Sequence, residues 1–311
     1  MFQISNTLQY DEGQIASVLA EAYQMTKNEH YATTLKEVLN YVERDMTFKE
    51  GDMLAFFSAE DADSLRTRDA PEKTEGAFYV WDYHEVTNIL DQHIPEVEGH
   101  KASSFFNYMF DVRPNGNVDY QSDPRGELSG LNVLAQRREI HELHKRFNIS
   151  EQTIEQVIAQ CKQILFEERN KRPRPHLDDK IITSWNGYVI DALSKASIVL
   201  SDRRYADVAE RAAQFIFTNL YNDNEKTLNR SYRKGSMKAS VVGGFLEDYA
   251  NMTSALISLY QATGRYKWLN WAFDLFDTQV KLFLDQEHGG FFEENGQDPT
   301  ILYRLKEVGG M

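Results

Sequence analysis

Apolar residues fall three and four apart along most of this chain, a spacing that confines it to helices packed on helices. Ile15, Val18, Leu19 and Ala22 follow the pattern, as do Leu35, Val38, Leu39 and Val42. Longer runs carry Ile154, Val157, Ile158, Cys161, Ile164 and Leu165 on one face, then Val189, Ile190, Leu193 and Leu200, then Val208, Ala209, Ala212, Phe215 and Ile216. Met252, Leu256 and Leu259 precede a last stripe of Leu269, Ala272, Phe273, Phe276, Val280 and Phe283. Weaker helices fit 82–92 and the stretches around Phe105 and Leu143, which makes about ten helices in all. The pieces between them, LAFFSAED, GAFYVW, TLNRSYR and GGFFEE, are aromatic or glycine-marked and read as brief strands or hairpins at helix ends.

A repeat underlies this pattern. Tyr31, Tyr205 and Tyr266 each follow a polar turn; 17 residues earlier stand Gln14, Tyr188 and Tyr249 near the start of an apolar helix, and 25 residues later Phe56, Arg230 and Phe291 in the aromatic pieces. The unit is therefore helix, tight turn, helix, extended excursion. Tyr205 and Tyr266 are 61 residues apart, whereas Tyr31 and Tyr205 are 174 apart, three times 58, which leaves room for two diverged copies between them. Stacked repeats of this kind form a solenoid or a ring. The excursions favour a closed α/α ring with its hairpins gathered at one mouth. The expected equivalents are the helices 10–24, 185–200 and 247–260, and one α/α domain is expected over 1–311. The basic stretch RNKRPRP (169–175) reads as an ordered loop within it.

Composition narrows the functions. Thirty-four basic and 48 acidic side chains give a net charge of −14 and a pI near 5.1, which disfavours nucleic acid and anionic membrane as partners. No apolar run is long enough to span a bilayer. The start, MFQISNTLQY, lacks the basic and apolar regions of a signal peptide, so a cytoplasmic location is expected. The single cysteine, Cys161, excludes an internal disulfide and is expected in the core. No two of the eight histidines have the H-E-x-x-H spacing, and no phosphate-binding glycine loop or G-x-S-x-G is present, so neither a metal nor a cofactor is expected.

The blocks FFSAEDADS (56–64), EGAFYVW (75–81), GNVD with GLNVL, RPHLDDKIITSWNG (174–187) and FLEDYA (245–250), in this order, resemble the spermatogenesis-associated protein 20 family. That resemblance implies a thioredoxin-like domain joined to a six-hairpin α/α toroid, a fold shared with many glycosidases and with N-acylglucosamine 2-epimerases. It also implies departures. The thioredoxin-like domain and the C-terminal end are missing, ISNTLQ stands where the family has His-Phe-Glu-Lys-Met-Leu, and about five hairpins remain. An open seam is the result, with two helical faces exposed for self-association.

Three constellations could carry chemistry. In SAEDADS, Asp61 and Asp63 share one face of an extended segment with Glu60 opposite, and carboxylates held at different pKa values can act as acid and base on a sugar. The same side chains could instead cap a helix or satisfy turn amides. In HLDDKIITSWNG, His176, Asp178 and Asp179 precede Trp185 and Asn186 at a helix start. Trp185 could stack a ligand and an aspartate could orient it, with Ser184 or Asn186 as N-cap. Alternatively, Asp179 pairs with Lys180 or Arg174 and pins the loop. Arg230, Tyr232 and Arg233 with Glu247 and Asp248 are either a polar site or an ion-pair network between hairpins.

Two functions follow from these readings. One is a carbohydrate-active toroid, hydrolase- or epimerase-like, with Asp61, Asp63, Asp178 and Asp179 as acid and base; Glu60, Trp81, His176, Trp185, Asn186, Arg230, Tyr232, Arg233, Glu247 and Asp248 would hold the sugar. The other is a catalytically silent interaction or regulatory module of a thioredoxin-linked protein. Both acidic loops are expected to open onto one cavity beside Trp185.

Overall fold

Among the residues described by the computed structural model, 7–119, 121, 123, 125–235, 242–297 and 300–306, ten helices form. They are α1 (Gln9–Thr26), α2 (Glu29–Asp45), α3 (Tyr83–His93), α4 (Ala102–Phe110), α5 (Ile140–Phe147), α6 (Glu151–Arg169), α7 (Thr183–Val199), α8 (Arg203–Asn219), α9 (Leu246–Thr263) and α10 (Tyr266–Phe283). The fold class is all-α, of the α/α hairpin type from which toroids are built. The chain divides into two compact units. A repeat unit takes Thr7–Ala59 and Leu177–Met311; a middle unit contains Glu60–His176.

In the repeat unit the three pairs α1/α2, α7/α8 and α9/α10 are built alike. One left-handed residue stops each first helix: Lys27 (φ 57°), Ser201 (φ 53°) and Gly264 (φ 68°). Lys27 and Gly264 return their N–H to Tyr23 and Tyr260, the usual way to satisfy a terminal helical carbonyl. Asn28 and Asp202 then cap α2 and α8 by accepting from the N–H of His30 and Arg204, both at 3.0 Å. The excursions follow the second helices as the repeat requires. Thr47–Glu50 pairs antiparallel with Met53–Phe56, and Tyr221–Asn222 with Thr227–Leu228, while Leu284 bridges Phe291.

The first helices lie side by side, α1 on α7 and α7 on α9, and they run parallel in register. Ser17 donates to Asp191 at 2.8 Å and Lys195 to Glu21 at 2.7 Å, both across a separation of 174 residues. Ser258 of α9 donates to the other oxygen of Asp191 at 2.5 Å, so one carboxylate ties three helices. Glycine permits this closeness. A Cβ on Gly13 would stand 2.7 Å from Cβ of Tyr188, and one on Gly187 3.0 Å from the Asn251 backbone. The expected helices 10–24, 185–200 and 247–260 are thus the three equivalents.

The spatial order differs from the expectation in one respect. Two diverged repeats were to stand between α2 and α7, yet α1 packs directly against α7, so pairs 174 residues apart are neighbours in space. The intervening residues form the middle unit, whose α3–α6 enclose their own core of Trp81, Leu90, Phe105, Phe106, Leu143 and Cys161. Cys161 is fully buried, as expected, and burial pushes its thiol up to about 12. GAFYVW is not a strand: Gly76–Tyr79 is a turn leading to a bridge between Trp81 and Asn132. The 169–175 loop is ordered by Arg172, which donates to the carbonyls of Phe78 and Val80. No helix among the described residues is long and apolar enough to cross a membrane.

Candidate ligand-binding site

Because α1, α7 and α9 are parallel, their first turns lie at the same end of the repeat unit. α7 begins one residue earlier than its expected cap, at Thr183, with Ile182 as N-cap and no side-chain cap of its own. Its Ser184 N–H is accepted instead by Asp248 of α9 at 2.8 Å. The fully buried Asp248 also accepts from the Phe245 N–H at the start of α9 and from Arg230 Nη1, both at 2.9 Å. One carboxylate thus satisfies open amides of two helices, where the macrodipole favours negative charge. Burial nevertheless pushes Asp248 up to about 6, against the pull of Arg230. Asn186 is fully buried too. It clamps the Phe56 backbone, accepting from its N–H at 2.8 Å and donating to its carbonyl at 3.1 Å. It is an internal staple, not a ligand contact.

Beside this junction lies a cavity of about 710 Å³. Phe245, Leu246 and Ala250 give it apolar wall, and Arg230, Glu247, Asn251, Glu293 and Glu294 give it polar groups. Arg230 pairs with Glu247 at 2.5 Å and lies 5.4 Å from the Phe245 ring centroid. The Leu246 N–H donates to the Glu293 carbonyl at 2.9 Å, which fixes the Glu293–Glu294 segment over the start of α9. Asn251 Nδ2 and Glu294 Oε2 are buried with no hydrogen-bond partner among the described residues. Such orphaned groups are costly unless a ligand or solvent completes them.

The acidic motifs are differently engaged. Asp178 and Asp179 both meet Arg233, at 2.9 and 2.6 Å, and Lys180 lies 3.0 Å from Asp178. Asp179 therefore pairs with Arg233 rather than with Lys180 or Arg174. Burial pushes the Asp178 carboxyl up, but the bonds from Lys180 and Arg233 outweigh it and leave the group below its ordinary range. Tyr232 stands half-buried between Phe48 and Phe215, with ring centroids 6.3 and 5.3 Å away. Trp185, also half-buried, meets the Tyr10 ring at 5.0 Å, edge-on.

In the middle unit, buried Glu60 accepts from Arg174 at 2.8 Å and from the Tyr79 hydroxyl at 3.1 Å. Asp61 lies 3.6 Å from Lys73 and accepts from the Asp63 N–H at 3.3 Å, a local turn bond. Asp63 sits on a strand opposite Glu75. His176 is exposed, and its carbonyl accepts from the Asp61 N–H. Trp81 is only 1% exposed, with the Arg172 guanidinium 3.9 Å from its ring centroid, so it packs a core and offers no platform to a sugar.

Of the sequence candidates, then, Arg230 and Glu247 line the cavity, Asp248 is buried against Arg230, and Asp178, Asp179 and Arg233 form a separate ion-paired cluster. Phe245, Asn251, Glu293 and Glu294 were missed, although FLEDYA and GGFFEE stand at the repeat phase where such residues gather. Glu12, in the first turn of α1, was missed as well. Burial, reinforced by Asp11, pushes its carboxyl up to about 7, and no sequence spacing signals that.

Helix pairs repeated in parallel register, with inner-helix starts beside an acidic cavity, define an α/α hairpin protein. Human spermatogenesis-associated protein 20 is 33% identical over 289 residues, 91% of this chain and 36% of that protein. The mouse protein is 32% identical over 307 residues, 96% of this chain and 38% of its own length. Over the stretch that it spans, the chain is homologous to the spermatogenesis-associated protein 20 family, as its motifs indicate; it spans little more than a third of the length of these relatives. No family model matches. A GH76 α-mannanase of Bacteroides thetaiotaomicron (10% identity, TM-score 0.37, 93% of this chain and 67% of that one) and a D-mannose isomerase (13%, 0.37, 93% and 63%) share some of the helical arrangement. At these scores the likeness carries no argument, and the fold class rests on the helix pairing itself.

Proposed function

We propose that the repeat unit binds a sugar ring in the cavity at the start of α9. The observation that carries this reading is the cavity's chemistry. About 710 Å³ suits a mono- or disaccharide. The face of Phe245 can stack the C–H side of a pyranose, while Glu247, Glu293 and Glu294 accept from hydroxyls and Asn251 and Arg230 donate to them. Calorimetric titration with a panel of mono- and disaccharides tests it. Binding is expected, and it should be lost in Phe245→Ala and in Asn251→Ala while both variants keep a near-native melting transition. Absence of binding across the panel would remove the reading.

In this reading Asp178 and Asp179 anchor their loop, and their ion pairs favour the silent binding module over the enzyme. One observation favours catalysis: Glu12 is raised and Asp178 lowered, the separation that acid and base need. On that second reading Glu12 would hold the proton, and Asp178 or Asp179 of the same unit would serve as base. Aryl-glycoside hydrolysis with a pH limb near 7 that disappears in Glu12→Gln would establish it.

A further inference from the structure

The Glu293–Glu294 wall of the cavity is held on two sides. On one, the Leu246 N–H donates to the Glu293 carbonyl at 2.9 Å. On the other runs a strap, residues 302–306. The Glu293 N–H donates to the Leu305 carbonyl at 3.0 Å, and Arg304 donates to the Glu294 carbonyl from Nε at 2.8 Å and also from Nη2. Arg304 Nη2 reaches on to the Leu282 carbonyl, at the end of α10, at 2.9 Å. Lys306 pins the far end, its Nζ donating to Asp285 at 2.5 Å and to the Gly289 carbonyl at 2.7 Å. Both cations lie near the Phe292 ring, 4.2 and 4.8 Å from its centroid. Gly296 makes room for this arrangement: its φ is 72°, and a Cβ there would stand 3.0 Å from Arg304 Cδ.

What the strap lacks is burial. Leu302, Tyr303 and Leu305 are 93, 73 and 45% exposed, so polar links and not apolar area keep it in place. In α9, by contrast, Met252, Leu256 and Leu259 are fully buried. Segments held without buried apolar contacts open locally, at a fraction of the free energy of global unfolding. We infer that the strap is a latch on the cavity. Closed, it holds Glu293 and Glu294 over the start of α9; released, it frees them, and the cavity loses that wall while the helices stay folded. Arg304 is the positioning residue, since its guanidinium ties the Glu294 carbonyl to the end of α10. The consequence for a ligand rests on the sugar-binding reading; the opening itself does not.

Hydrogen exchange on the full chain tests the opening. The Glu293 amide should exchange much faster than the amides of α7 and α9. Arg304→Ala should speed it by a further factor of roughly ten to a hundred, and leave the α7 amides and the melting transition near native. Lys306→Ala, which loosens only the far end, should act in the same direction to a smaller extent. Calorimetric titration with the panel of mono- and disaccharides then reads the coupling. Affinity should fall roughly tenfold in Arg304→Ala, and a bound sugar should slow exchange at Glu293 in the wild type, because coupling between two equilibria is reciprocal. Exchange at Glu293 as slow as in α7, or unchanged in both variants, would overturn the latch. Faster exchange with undiminished sugar affinity would overturn its control of the cavity. If no sugar of the panel binds the wild type, the sugar reading falls and the exchange results alone decide the latch.

Discussion

Glu12→Gln should make the protein more stable, and only at the upper end of the pH range. Its carboxyl is raised from an ordinary 4.5 to about 7, first by burial and then by Asp11 in the same turn. The folded state therefore holds this proton more tightly than the unfolded chain does. Below an ordinary carboxyl pKa both states are protonated and Glu12 has no pH-dependent effect. Between 4.5 and about 7 the unfolded chain releases its proton first, so stability falls as pH rises, and above 7 the full penalty persists. A rise of this size corresponds to about 3 kcal/mol at roughly pH 8, and the side chain's partial exposure reduces that to roughly 1–3 kcal/mol. Glutamine keeps the shape and carries no charge. Urea unfolding of both proteins at about pH 4 and pH 8 measures the effect. The two stabilities should coincide at the acid end, and the variant should exceed the wild type by that margin at the alkaline end. Asp248 is raised as well, but it is present in both proteins and cancels in the comparison. A difference that is constant with pH, or one that favours the wild type at about pH 8, would refute the account of a proton held by burial.

Two further outcomes test the packing. Asp191→Ala removes the carboxylate that joins Ser17, Ser258 and Lys195 across three helices; chemical denaturation should show a loss of roughly 2–4 kcal/mol, and a loss under about 0.5 kcal/mol would mean that the bridge is incidental. Trp185→Ala removes a half-buried ring resting on Tyr10; an intermediate loss of roughly 1–2 kcal/mol is expected, whereas 3–5 kcal/mol would identify a fully packed core aromatic.

Helix positions were legible in the sequence because an amphipathic stripe is a local property, and the equivalence of α1, α7 and α9 was legible because each repeat preserves its own phase. The polar turns were readable too, but that Asn28 and Asp202 cap α2 and α8 from them emerged from the structure. What the sequence could not determine is which repeats touch. A separation of 174 residues looked like three repeats, yet Ser17 and Asp191 meet directly, since contact depends on how the chain returns and not on how far it travels. The site shows the same division. Asp178, Asp179 and Asp248 were recognisable as acids near helix starts, but only packing made the first two partners of Arg233 and gave the third the amides of two helices. Trp81 and Asn186 resembled ligand contacts because composition does not reveal burial. Glu12 resembled any surface glutamate, because its raised pKa arises from the atoms packed around it, a tertiary quantity that no spacing of residues encodes.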